Sequence, residues 1–304
     1  MKKYNGIYLP IITPIDENEN IDEKGFRHLI NHAINNGIHG LLVACSNGEC
    51  MGLTQAQREK ALQIAIDECG DRITVVGGVM DSSTVRVIEN IKRFEQMGGK
   101  AAIITPVFYS RHASETENIS HFEKIAKHTK LDLFIYNIPN FVGCTIQCAS
   151  IFEIAKIPNV VGYKDSSGNF SDFMKCIIYF RGKDFALFQG ATSQIVPSFL
   201  MGADGCVPAL AILFPKLFIN LYNACIKKDY KNIWYYNKIL DEAQKILELS
   251  KNKTSAAKFA ISLLGYTDKR VTKPQEETTP EEEALIVKKV KEVENELNKP
   301  IVDN

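Results

Sequence analysis

Residues 131–168 read LDLFIYNIPNFVGCTIQCASIFEIAKIPNVVGYKDSSG, and this stretch decides the fold. It opens with an apolar run of strand length at 131–137, in which Leu131, Leu133 and Ile135 share one face by the period-two alternation of a strand. It passes through a helix-period segment at 149–156 and closes on a second apolar run at 160–164. Strand, crossover helix and second strand make one βαβ unit, the building block of a parallel sheet.

The same alternation extends in both directions. Strands are predicted at 6–13, 40–44, 73–79, 101–105, 131–137, 160–164, 185–189 and 205–208, and helices at 23–35, 55–69, 84–97, 115–127, 149–156, 170–179, 193–200 and 215–227. Thr54 with Gln57 has the spacing of a capping box, in which two side chains satisfy unpaired backbone donors at a helix start. Eight βα units in succession favour a closed (β/α)8 TIM barrel, with an open doubly wound sheet as the alternative. Beyond residue 227 the pattern is helical alone, at 231–249, at 254–264 and again after Thr279, where Pro280 and Glu282 mark a helix start. The expected organisation is a barrel over residues 1–227 and a three-helix extension over 228–304. Trp234, in the first of those helices, is expected to pack against the barrel or a neighbouring subunit.

Composition narrows the function. Of 304 residues, 45% are hydrophobic and 24% charged, and 36 basic side chains balance 36 acidic ones, so the mean field draws neither nucleic acid nor an anionic membrane. The strand-to-helix turns carry neither a dinucleotide fingerprint nor a P-loop. No apolar run reaches membrane-spanning length and the first residues lack a secretory signal, so a cytoplasmic enzyme with a small-molecule partner is expected. The cysteines, at 45, 50, 69, 144, 148, 176, 206 and 225, form no CxxC pair and read as reduced thiols. Cys144 with Cys148, and His28 with His32, have spacings a metal site can use, but they lack further ligands; the histidines read as a solvent-facing pair.

In a barrel of this kind chemistry gathers at the C-terminal ends of the strands. There the sixth predicted strand places Lys164 on a face with Gly162 and Val160, where the glycine leaves room. A lysine desolvated in such a place sheds its proton more readily, and a free amine is what attack on a ketone requires. The competing reading has Lys164 reaching solvent or pairing with Asp165. On the fifth strand, Tyr136 is expected to turn inward beside Lys164, where a phenol can ferry protons. The second strand ends in Cys45-Ser46-Asn47-Gly48-Glu49, a polar turn whose Ser46 and Asn47 can hold a carboxylate.

Together these residues give the chain a resemblance to the dihydrodipicolinate synthase/N-acetylneuraminate lyase family of pyruvate-dependent class I aldolases. The marks are Thr13-Pro14, Ser46-Asn47-Gly48-Glu49, Thr105-Pro106, Tyr136-Asn137-Ile138-Pro139 and Gly162-Tyr163-Lys164-Asp165, in order along essentially the whole chain. The resemblance implies that Lys164 forms the Schiff base, that Tyr136 relays protons and that Ser46 and Asn47 grip the pyruvate carboxylate. It further implies that Gly190 and Val207 line the pocket, and that Phe108 or Tyr109 enters a neighbouring subunit's site in a homo-oligomer, a dimer of dimers. A protonated imine withdraws electrons by itself, so neither a cofactor nor a metal is expected.

Two departures bear on the substrate. Synthases similar to this chain carry an arginine just after the Tyr-Asn-x-Pro segment, where Asn140-Phe141 stands here, and sialic acid lyases carry an acidic residue shortly after the glycine matching Gly190, where Ala191-Thr192-Ser193 stands. The expected reaction is reversible cleavage of a 4-hydroxy-2-oxo acid, of the 2-keto-3-deoxy-sugar acid or 4-hydroxy-2-oxoglutarate type, to pyruvate and an aldehyde. The alternative is a 4-hydroxy-tetrahydrodipicolinate synthase condensing pyruvate with aspartate semialdehyde, and a rival of another class is a pyruvate sensor without turnover.

Overall fold

The computed structural model describes residues 2–109 and 114–299. Eight strands, β1 (Gly6–Pro10), β2 (Gly40–Val43), β3 (Thr74–Gly78), β4 (Ala101–Ile104), β5 (Asp132–Asn137), β6 (Val160–Asp165), β7 (Ala186–Gln189) and β8 (Gly205–Cys206), run in chain order around a closed barrel. The alternation read from the sequence is thus the closed barrel and not the open sheet. Between the strands lie α1 (Glu23–Asn35), α2 (Gln55–Cys69), α3 (Thr84–Gln96), α4 (Glu115–Ala126), α5 (Pro139–Val142), α6 (Cys148–Ile154), α7 (Phe170–Phe180) and α8 (Ile195–Met201). After β8 come α9 (Pro215–Lys227), α10 (Tyr230–Gln244), α11 (Lys253–Ser262) and α12 (Pro280–Leu297).

Helix starts follow the local chemistry. Thr54 and Gln57 form the expected capping box on α2, and Thr279 and Glu282 form another on α12 with Pro280 in its first turn. Strands β1 to β4 and β8 stop short of their predicted ends, β1 and β8 by more than one residue: β1 ends at Pro10, and β8 ends before Pro208, whose missing N–H cannot extend a ladder.

By internal contacts the chain divides into two compact units, Met1–Tyr8 with Thr74–Val207, and Leu9–Ile73 with Pro208–Asn304. In the first, β5 and β6 run parallel with Tyr136 opposite Lys164 and Asn137 opposite Asp165. One inward layer below, the ring of Phe134 occupies the space over Gly162, and that of Phe188 the space over Gly205; a Cβ at either glycine would collide with the ring. Tyr4 packs edge-on to Phe134 at 4.9 Å, and Tyr8 to Phe188 at 4.8 Å. Each such aromatic pair contributes about 0.5–1.5 kcal/mol beyond area burial, and Phe134 meets Phe188 edge-on at 6.0 Å. The room beside Gly162 therefore belongs to Phe134, not to Lys164 as the sequence suggested.

In the second unit α1 packs on α2 and α9 on α10. His32, expected to face solvent beside His28, is instead half-buried, its Nε2 3.1 Å from the carbonyl oxygen of Ile212, and burial lowers its pKa. Trp234 is 78% exposed and so does not pack on its own barrel, contrary to one of the two placements expected of it.

Candidate functional site

Lys164 lies one residue before the end of β6 and is buried, with 4% exposure. Its Nζ lies over the ring of Tyr136, 3.8 Å from the centroid. That contact follows from the register, since opposed residues on neighbouring parallel strands send their side chains to the same face. Among the described residues Lys164 has no ion-pair partner. Asp165, its neighbour in sequence, points to the other face of the strand.

There Asp165 is held by neutral donors. Its Oδ1 accepts hydrogen bonds from the Tyr163 hydroxyl at 2.7 Å and from Asn137 Nδ2 at 3.0 Å, and its Oδ2 accepts from Ser167 Oγ at 2.9 Å. Asn137 Oδ1 in turn accepts from the Ile146 N–H at 3.1 Å. Burial raises the Asp165 pKa and these hydrogen bonds oppose the rise; burial, with Asp165 alongside, also pushes the Tyr163 phenol well up. The competing reading, a Lys164–Asp165 pair, is therefore overturned. Main-chain bonds from Ser166 N to Asn137 O at 2.8 Å and from Gly190 N to Asp165 O at 2.7 Å tie the ends of β5, β6 and β7 together.

Gly190 follows β7. A Cβ there would collide with Ser166 Oγ and sit 3.3 Å from Lys164 Cε, so the bare glycine leaves the lysine stem its space. Gln189, fully buried, shapes this turn: its amide donates to Ser198 Oγ at 3.1 Å and accepts from the Ala191 N–H at 2.7 Å. Val207 is buried and donates its N–H to Gln189 O at 2.9 Å. Lys164, Tyr136, Gly190 and Val207 thus gather in the first unit.

Ser46 and Asn47 lie in the second, in a single 3-10 turn from Ser46 to Gly48 that follows β2, and both are half-buried. The turn is clamped at its far end, where Thr13 Oγ1 donates to Gly48 O at 2.9 Å. Glu49 closes it in a left-handed conformation, φ 53°, rare for a residue with a side chain. The Glu49 carboxylate is buried. Its Oε1 accepts from the Thr272 N–H at 2.9 Å, Thr272 Oγ1 at 3.1 Å and Gln275 Nε2 at 2.8 Å, while Oε2 pairs with Lys258 Nζ. Lys258, in α11, has no exposure and also donates to Arg270 O at 2.8 Å. Burial lowers its pKa against the pull of Glu49. In the sequence Glu49 stands only as part of a motif and no motif marks Lys258; the one local signal is a lysine inside Ser255-Ala256-Ala257-Lys258-Phe259-Ala260, a stretch otherwise fit for burial.

Phe108 and Tyr109 follow β4. Phe108 is half-buried, while Tyr109 is fully exposed with φ 68°. Among the described residues no cysteine is in a disulfide, and no helix is long and apolar enough to cross a membrane.

Known proteins share this architecture. A 4-hydroxy-tetrahydrodipicolinate synthase of Methanospirillum hungatei is 28% identical over 230 residues, 75% of this chain and 78% of that protein. One of Oceanobacillus iheyensis is 31% identical over 204 residues, 67% of this chain and 68% of that protein. The crystal structure of dihydrodipicolinate synthase from Bacteroides thetaiotaomicron superimposes with a TM-score of 0.91 at 27% identity, covering 96% of this chain and 99% of that one. The model of the dihydrodipicolinate synthetase family matches residues 3–293, nearly the full length of barrel and trailing helices. The chain therefore belongs to the dihydrodipicolinate synthetase family, and it is a carbon–carbon lyase of that family.

Proposed function

We propose that this enzyme cleaves a 4-hydroxy-2-oxo acid to pyruvate and an aldehyde through an imine on Lys164, the 2-keto-3-deoxy-sugar acids being the preferred class. One observation carries the imine: a buried lysine nitrogen without a counter-charge among the described residues, lying against a phenol. In the cleavage direction the amine attacks C2 of the oxo acid, and the carbinolamine loses water with Tyr136 relaying the proton. The 4-hydroxyl then gives its proton to the Tyr136 phenolate left by that step, the C3–C4 bond breaks, and its electron pair passes into the protonated imine to leave an enamine and a free aldehyde. Protonation at C3 and hydrolysis release pyruvate and regenerate the amine. Ser46 and Asn47 take the C1 carboxylate, and Gly190 and Val207 line the pocket.

The sugar-acid preference rests on charge. Residues 137–143, 165–170 and 189–194, which follow β5, β6 and β7, contain no lysine or arginine but do contain Asn140, Ser166, Ser167, Asn169, Thr192 and Ser193. Hydroxyl and amide groups suit a neutral polyhydroxy aldehyde, whereas a second carboxylate calls for a cation. Of the two aromatic residues after β4, we assign the partner-facing role in a homo-oligomer to Tyr109, the exposed one.

The second reading, a 4-hydroxy-tetrahydrodipicolinate synthase, is favoured by the names of the curated relatives. An aldol-cleavage screen over hydroxylated 2-oxo acids with pyruvate detection, run beside turnover of aspartate semialdehyde, separates the two. Pyruvate with borohydride should leave a reduced three-carbon acid on Lys164, and an unmodified Lys164 would remove the imine mechanism.

A further inference from the structure

The Glu49–Lys258 ion pair is deeply buried, with side-chain exposures of 3% and 0%, and the mechanism just described does not use it. Burying two charges gains little stability over an apolar pair of equal volume, since desolvation offsets most of their attraction. What such a pair supplies is fixed geometry. Here it fixes a turn: Glu49 closes the 3-10 turn that carries Ser46 and Asn47, in a left-handed conformation its backbone disfavours. The carboxylate is held there by donors from Lys258, Thr272 and Gln275, all on or after α11. Thr13 grips the same turn through the carbonyl of Gly48. Both anchors sit at the C-terminal end of the turn, and the half-buried Ser46 and Asn47 lead directly into it.

We propose that Glu49 and Lys258 are positioning residues for pyruvate capture: the pair holds the Ser46–Gly48 turn in the shape that receives the substrate carboxylate. This inference rests on the carboxylate role proposed above for Ser46 and Asn47. It makes the helices after β8 part of the binding apparatus. Losing the pair weakens capture of pyruvate while leaving the imine step on bound pyruvate almost untouched.

The test is the pyruvate dependence of borohydride inactivation, which yields a half-saturating concentration and a limiting rate. Glu49→Gln and Lys258→Gln should each raise the half-saturating concentration about tenfold or more, with the limiting rate within about threefold of wild type, the pattern of lost binding with intact chemistry. Gln275→Leu, which removes one neutral donor at the margin of the cluster, should fold normally and raise it about threefold. The double variant Glu49→Gln/Lys258→Gln, a neutral pair able to hydrogen-bond, should recover much of what Lys258→Gln loses. A role confined to stability would lower the melting temperature of these variants and leave the half-saturating concentration of the folded enzyme in place; that result overturns the inference, as does a falling limiting rate at unchanged half-saturation. Should the charged-pair variants not fold, Gln275→Leu decides alone. Failure of the underlying reading looks different: wild-type enzyme gains no adduct on Lys164, or Ser46→Ala and Asn47→Ala leave pyruvate capture unchanged.

Discussion

Among the described residues two lysines are buried, Lys164 at the end of β6 and Lys258 within α11, and their surroundings are opposite. The ammonium of Lys258 rests on the Glu49 carboxylate and the Arg270 carbonyl. The nitrogen of Lys164 rests on the face of a phenol, and the carboxylate beside it in sequence is engaged on the far side of the strand. Burial alone therefore does not mark a nucleophile. A lysine bound to a counter-charge is held in one geometry; a lysine given an aromatic face and no carboxylate remains available for bond formation.

Replacing each lysine by methionine tests that contrast most severely. Lys164→Met should abolish the borohydride adduct and cut turnover by at least about a thousandfold, with a denaturation midpoint equal to or above that of wild type, because no charge is left unpaired. Lys258→Met should instead cost about 3–5 kcal/mol by the same denaturant measurement, since it strands the buried Glu49 carboxylate. Equal destabilisation in the two variants would mean that Lys164 has a structural partner and is not the reactive one. Tyr136→Phe sharpens the same comparison: it keeps the ring against Lys164 and removes only the hydroxyl. Turnover should fall by about 10²–10⁴-fold, the usual worth of a proton relay, with the midpoint nearly unchanged.

How far the sequence carried this picture depends on the range of the interactions involved. The barrel was legible because its strands and helices obey short periods, and because caps such as Thr54 with Gln57 act over three residues. Tyr136 beside Lys164 was legible for a related reason: alternation within β5 and β6, plus neighbouring strands in a parallel sheet, fixes which side chains meet. The Glu49–Lys258 pair was not, because nothing local links a turn after β2 to the middle of α11. The space over Gly162 was misjudged on similar grounds, since a missing side chain announces room but not which neighbour fills it; Phe134 does. His32 was placed in solvent because helical spacing reveals a face and not what covers it, here the segment at Ile212.

The smallest expected effect concerns Asp165, the other half of the contrast: a buried carboxylate served by neutral donors while a lysine sits next to it in the chain. Burial raises its pKa above the value near 3.9 expected for an unfolded chain. Between those two values the native state holds a proton that the unfolded state has released, so stability falls as pH rises through that window and levels off above it. Tyr163 donates to the ionised form and limits the loss. Tyr163→Phe removes that donor, raises the Asp165 pKa further and deepens the fall. The variant should lie close to wild type at the acid end, where the carboxyl is protonated, and about 1–2 kcal/mol below it at neutral pH, the cost of a lost hydrogen bond to a charged, buried group. Urea midpoints measured for both proteins at the two pH values give the answer. A deficit of the same size at both would show that the phenol contributes packing to the outer face of β6 and does not support the charge on Asp165, so that the carboxylate beside Lys164 would owe its ionisation to Asn137 and Ser167 alone.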